Sequence, residues 1–238
     1  MSKQYTYNDF IEIIRTLRSE NGCPWDKEQT HHSLRPCMME EAAEVLSAIR
    51  ILEQTGNAEN LREELGDVLL QVVMHAQIAK EEGLFTMEDV VNEVAEKMVR
   101  RHPHVFGEAE VESSGQVLEN WEEIKKKEKE GKTWIESPLR EIPMELPALT
   151  RAPKILKKVD KYYGQTSSFE EDIENLKKAV ERLEALKHTD YSPEAEKAVG
   201  DILLAVSDIS RVYKLSQEQI LTDRIADIID RYEPHNEK

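Results

Sequence analysis

Two acidic helical segments joined by a tight reversal constrain this chain more than any other feature. Residues Glu40 to Glu44 read E-E-A-A-E, and residues Glu63 to Asp67 read E-E-L-G-D, with Thr55-Gly56-Asn57 between them. Met38, Ala42, Val45, Ile49 and Leu52 recur at spacings of four and three, and so do Leu61, Leu65, Val68 and Val72. Both series are the apolar stripe of an amphipathic helix. At about 100° per residue, Glu41 and Glu44 fall roughly 60° and 120° to one side of the first stripe, and Glu64 and Asp67 repeat those offsets beside the second. Glu40 and Glu63 point largely away. Gly56-Asn57 suits a helix stop and reversal, which predicts an antiparallel pair.

Such a hairpin brings four carboxylates, Glu41, Glu44, Glu64 and Asp67, to one patch. At a partly dry helix interface they repel one another. A hard divalent cation with oxygen ligands removes that cost, and Mg²⁺ is the usual choice where phosphates complete its shell. The bland alternative is a solvated helix edge, since Glu is common on helices. Matching register across a hairpin favours the metal reading over that alternative.

Lys plus Arg number 32 and Asp plus Glu 48 in 238 residues, a net charge of −16. An acidic surface of this size disfavours nucleic-acid polymers and anionic membranes as partners. Aromatic residues are 6% and Gly and Pro are few, while Glu, Lys, Leu and Ala dominate, which predicts an all-α protein of helical bundles. No apolar run has membrane length, and Met1-Ser2-Lys3 opens no signal-peptide pattern. Cys23 and Cys37 fit no zinc or redox spacing. They read as reduced thiols of a cytoplasmic protein.

Upstream of the hairpin, Tyr7-Asn8-Asp9 offers helix caps, and Phe10, Ile13, Ile14 and Leu17 form a stripe ending near Asn21-Gly22. Cys23 to Thr30 is too polar and aromatic for a plain linker, with Trp25 either plugging the core or walling the acidic site. Downstream, the second acidic helix runs through Ala79 and stops at Gly83. Thr86 with Asp89 opens a further helix that ends in Lys97, Arg100, Arg101 and His102-Pro103-His104. Lys97 and Arg101 share one face, as do Trp121 and Lys125. The helix dipole alone favours cations at a C-terminus. In an acidic chain, however, this basic cluster directly follows the four carboxylates.

Residues 136–153 hold Pro138, Pro143, Pro147 and Pro153, four of the chain's nine prolines, and read as a linker. It divides a helical domain at 1–135 from another at 154–238, and the second echoes the first. Leu65-Gly66-Asp67-Val68-Leu69-Leu70 returns as Val199-Gly200-Asp201-Ile202-Leu203-Leu204, and Met39 to Glu44 aligns with Leu176 to Glu181. The positions answering to Glu41, Glu44, Glu64 and Asp67 are Lys178, Glu181, Ala198 and Asp201. Those answering to Lys97 and Arg100 are Asp227 and Asp230. The expected architecture is thus a tandem of helical repeats whose second copy has lost its chemistry.

The chain resembles the MazG family of all-α nucleoside triphosphate pyrophosphohydrolases, as a tandem two-domain member. The resemblance is carried by Gly22-Cys23-Pro24-Trp25-Asp26, by Glu40-Glu41-x-x-Glu44 with Glu64-x-x-Asp67, by Arg100-Arg101-His102-Pro103-His104-Val105-Phe106, and by Trp121-x-x-x-Lys125. It implies Mg²⁺-dependent cleavage of (d)NTPs to the monophosphate and pyrophosphate, with Mn²⁺ as a substitute metal, by a homodimer of helical units. Under this reading Glu41, Glu44, Glu64 and Asp67 are metal ligands, and Glu40 is an outer base or orienter. Lys97, Arg100, Arg101 and Lys125 face the phosphates, and Trp25 and Trp121 are substrate-binding.

Two other classes compete. A ferritin-like carboxylate oxidase needs Glu-x-x-His pairs, and neither Glu44 nor Glu64 has a His three residues on. A non-enzymatic helical interaction module is the remaining alternative, distinguished from the enzyme by whether pyrophosphate is released.

Overall fold

The computed structural model describes residues 4–132, 135–165, 167–186 and 192–233. Among these the chain is all-α, with eleven helices and no strand. It divides into two compact units, Met1–Glu128 and Lys129–Lys238.

The first unit is built on the predicted hairpin, α3 (Arg35–Thr55) and α4 (Glu59–Glu81). Gly56 caps α3 with φ 72°, the left-handed conformation that a Cβ disfavours, and its amide donates to Leu52. Asn57 then turns the chain, its side-chain oxygen accepting from the Glu59 amide at 2.8 Å. Around this pair stand α1 (Tyr7–Leu17), α2 (Pro24–Glu28), α5 (Met87–Arg101), α6 (Pro103–Phe106) and α7 (Ser114–Lys129). Thr86 and Asp89 form the reciprocal capping box that opens α5.

Several local expectations shift. The cap of α1 is Thr6, one residue before the predicted group, with Asp9 as its reciprocal partner. The helix ends at Leu17, with Arg18 as its C-cap donating its amide to the Ile14 carbonyl. Its guanidinium donates to the carbonyls of Asp26 and Gln29 and pairs with Glu81 at 2.7 Å. That largely buried cation ties α2 to the end of α4. At Gly22 the chain passes so close to the Leu17 carbonyl that a Cβ would collide with backbone. Trp25 is 66% exposed on α2, which rules out the core-plug reading.

The apolar stripes are also less buried than their periodicity suggests. On α3 only Ala48 is buried, and Leu65 on α4 is 52% exposed. The core lies instead along the second half of α4, where Val73, Met74 and Ile78 meet Ile14 of α1 and Leu34. The reason is coverage: α1 and the chain ahead of α3 pack over the C-terminal turns of α4, and its first turns face α3. Burial of each of these large side chains contributes about 1.5–3 kcal/mol.

The second unit holds α8 (Ala148–Tyr163), α9 (Phe169–Ala185), α10 (Pro193–Val212) and α11 (Gln217–Tyr232). Helices α9 and α10 form its central pair, with α8 against α10 and α11 against α8. Of the proline-rich segment 136–153, residues up to Pro147 are turns and coil and the rest is the start of α8, with Pro153 inside it. Glu141 fixes this segment by ion pairs with Lys129 and Lys158. No helix among the described residues is long and apolar enough to cross a membrane.

Candidate active site

The carboxylates of Glu41 on α3 and of Glu64 and Asp67 on α4 converge. One oxygen from each lies within 4.8 Å of the others, and all three residues are half-buried. The cause is local: Glu64 and Asp67 are three apart and share a face of α4, and the Gly56 reversal lays that face against Glu41. Glu44, one turn on from Glu41, is exposed but hydrogen-bonds with the Glu41 carboxyl. Glu40 is exposed.

The electrostatics record the crowding. Burial, then the charges of Asp67, Glu44 and Glu64, push the Glu41 carboxyl above its ordinary value. The cluster thus carries charge repulsion that a cation would relieve. A set of hard carboxylate oxygens with these separations fits Mg²⁺ or Mn²⁺ in donor type. Asn60, one turn before Glu64, donates to Glu64 Oε1 at 2.6 Å. This bond holds one carboxylate of the cluster. Nothing in the apolar periodicity singles out Asn60; an Asn four residues before a suspected ligand on the same helix face is the signal that could have found it.

The basic and aromatic residues form a second group, on α5 and α7. Arg100 and Arg101 both bind Glu128, through Nε at 2.8 Å and 3.0 Å. The Arg101 guanidinium also lies 5.0 Å from the Trp121 ring centroid, and His102 meets the same ring edge-on at 5.0 Å. Lys97, half-buried, is one turn before Arg101, and Lys125, one turn after Trp121, lies 3.7 Å from Glu122. Glu128 went unnoticed in the sequence because it lies within a run of alternating charges. Hydrogen bonds from Arg101, and then Arg100, pull its carboxyl down to about 2 against the opposing effect of burial. Arg101 is thereby fixed, with only 14% of its side chain exposed, whereas Arg100 remains half-exposed.

A third feature is a histidine pair. His31 and His75 approach through their Nδ1 atoms at 2.8 Å with rings nearly parallel. Burial and the neighbouring His31 lower the His75 pKa. The contact fastens the chain ahead of α3 to α4.

In the second unit, the residues that the sequence alignment sets against the cluster lie on α9 (Lys178, Glu181) and α10 (Ala198, Asp201). Lys178 pairs with Glu174 at 3.5 Å, Arg182 binds Asp201 at 2.7 Å, and Ala198 is buried.

The chain is similar to known proteins over most of its length. Residues 29–106, which include all four candidate ligands and the Arg100-Arg101 pair, match the MazG nucleotide pyrophosphohydrolase domain. The chain is 38% identical over 232 residues to the nucleoside triphosphate pyrophosphohydrolase/pyrophosphatase MazG of Thermotoga maritima, covering 97% of this chain and 86% of that protein. It is 39% identical over 204 residues to the nucleoside triphosphate pyrophosphohydrolase of Escherichia coli K12, covering 84% and 76% of the two chains. A third relative, protein YabN of Bacillus subtilis, is 44% identical over 219 residues; these are 92% of this chain but span only 44% of that protein's length.

Proposed function

Because the chain belongs to the MazG nucleotide pyrophosphohydrolase family, we propose that it hydrolyses nucleoside triphosphates to the monophosphate and pyrophosphate, using the acidic cluster of its first unit. The observation that carries this reading is the convergence of Glu41, Glu64 and Asp67 within 4.8 Å. Glu44, hydrogen-bonded to Glu41, completes the set.

These residues would hold Mg²⁺. When bound, the ion supplies neutralisation of the triphosphate charge and a lowered pKa for a bound water. The chain's own groups do the rest. Asn60 orients Glu64 through its 2.6 Å bond. Glu40, exposed one residue before Glu41, is the proposed outer base or orienter for the water that attacks the α-phosphorus. Half-exposed Arg100, with Lys97 and Lys125, supplies positive charge to the departing pyrophosphate. Arg101 is committed to Glu128 and positions Trp121, whose ring offers a face to the base or ribose. Trp25, exposed on α2, is a second wall of the substrate site.

The second unit, in this reading, is a degenerate copy without turnover. Helices α9 and α10 repeat the hairpin of α3 and α4, but Lys178 and Ala198 replace two ligands. The assembly is proposed to be a homodimer. Leu46 at 61%, Leu65 at 52% and Ile49 at 38% exposure leave the catalytic hairpin with an apolar face that a second copy would cover. The protein is proposed to act in the cytoplasm, where nucleotides and Mg²⁺ are abundant.

Product analysis tests the reaction. Chromatography of an ATP digest should show AMP and pyrophosphate as the initial products. ADP and orthophosphate would place attack at the γ-phosphorus and refute the assignment.

A further inference from the structure

The histidine pair of the first unit has a geometry that restricts where its protons can lie. The Nδ1 atoms of His31 and His75 are 2.8 Å apart, their ring centroids 5.1 Å, and the ring planes differ by 3°. The centroid distance is the nitrogen distance plus both ring radii, a sum reached only when the two rings lie in line. They therefore meet edge to edge, each Nδ1 aimed at the other. Such a contact needs one Nδ1 to carry a proton and the other to offer its lone pair. Glu82 decides which. Its carboxylate lies 3.8 Å from His31 Nε2, too far for a hydrogen bond but close enough to favour a proton on that nitrogen. Neutral His31 carries one ring proton, so its Nδ1 is the acceptor and His75 Nδ1–H the donor.

Counting protons gives the pair a threshold. A first added proton goes to His75 Nε2, which this tautomer leaves unprotonated, and the Nδ1–H···Nδ1 bond stays in place. A second has only His31 Nδ1 to occupy, and two N–H groups and two positive charges then face each other. The surroundings do little to relieve that. Glu82 stands on the outer side of His31, and Glu81, next to it in the chain, is taken by Arg18 at 2.7 Å. His32, beside His31, is exposed. Helix α1 meets this part of α4 through Phe10, Ile14 and Leu17, and α5 through Met87. Both rings are half-buried, where like charges repel more strongly than in water. Burial, and then His31, lower the His75 pKa from its ordinary 6.5. The stability that neutral His75 contributes is therefore full above 6.5 and is lost as pH falls through the lowered value.

We propose that His31 and His75 form a pH-sensitive clasp, closed while one proton lies between the two Nδ1 atoms and opened when each ring carries its own. The clasp holds the chain ahead of α3 against α4. Leu34, in the same stretch, is buried with Val73, Met74 and Ile78, so opening releases the polar half of this attachment and leaves the apolar half. His75 lies eight residues beyond Asp67 on α4, about 12 Å of helical rise. Acid thus loosens the entry to α3 without acting on the carboxylate cluster itself. Two coupled rings titrate as a pair, in two steps that belong to both, and only the second step opens the clasp.

Nitrogen NMR of the imidazoles in the full chain, paired with amide hydrogen exchange, tests this. At pH 8 His75 should carry its proton on Nδ1 and His31 on Nε2, and acid should titrate the pair in two steps, the second well below 6.5. Amide protection at residues 31–34, corrected for the intrinsic pH dependence of exchange, should fall at least tenfold across that second step. His31→Phe, at a side chain 39% exposed and outside the buried core, should remove this pH dependence. The opposite tautomers, a single titration step shared by both rings, or protection unchanged across the second step would overturn the clasp. So would the same tenfold fall in His31→Phe, which would assign it to other groups.

Discussion

The guanidinium of Arg182 donates to Asp201 at 2.7 Å, so the carboxylate aligned with Asp67 is already neutralised by a cation of the chain itself. In the first unit Asp67 has no such partner among the described residues and instead raises the pKa of Glu41. Under the proposed alignment of the two hairpins, this position is electrostatically satisfied in one unit and crowded with like charge in the other.

That contrast makes a prediction about division of labour. Glu181→Gln and Asp201→Asn should each leave turnover within about twofold of wild type, because surface ion pairs such as Arg182–Asp201 contribute little. Steady-state kinetics at saturating Mg²⁺ check this. A loss of tenfold or more with the fold intact would show that the second unit carries turnover.

Asn60 should act as a positioning residue for Glu64. Asn60→Ala is expected to lower kcat/KM by about 10–100-fold at limiting metal, the usual effect of removing a group that orients a ligand. Raising the Mg²⁺ concentration should recover much of the loss. A metal titration curve that does not move would exclude the role.

Glu128 sets a pH dependence of stability. Its carboxyl is held at about 2 when folded, against an ordinary value of 4.5. A lowered folded-state pKa contributes stability that is full above the ordinary value and is lost as pH falls toward 2. Glu128→Gln should cost about 1–3 kcal/mol near neutrality, less whatever solvent screens at half-exposed Arg100. The difference between variant and wild type should shrink below pH 4.5. Urea unfolding at pH 7, 4 and 3 measures it, and a pH-independent difference would contradict the assigned cause.

These residues also show what could be read in advance. The Glu41–Glu64–Asp67 convergence was legible because helical period and a glycine stop determine which side chains share a face. The Thr86–Asp89 cap was legible for the same reason: both partners are near in sequence. The exposure of Trp25 was not, because the placement of α2 rests on contacts far apart in sequence, such as Arg18 with Glu81. Nor was the burial of Asp172. A carboxylate in the first turn of a helix reads as a solvated cap residue, and the packing of α9 on α10 lies beyond what its sequence neighbours show. The stripe at Leu65 failed differently. Periodicity says which face is apolar, but not whether the same chain covers it.

The central claim is that the first unit's carboxylates carry the reaction, and Asp67→Asn tests it most directly. The substitution removes one ligand charge at nearly constant shape. Pyrophosphate release from a panel of nucleoside triphosphates should fall by about 100-fold or more with helical content unchanged, as expected when a group acting on transition-state charge is lost. Near-normal release by this variant, with the same monophosphate product, would contradict the account.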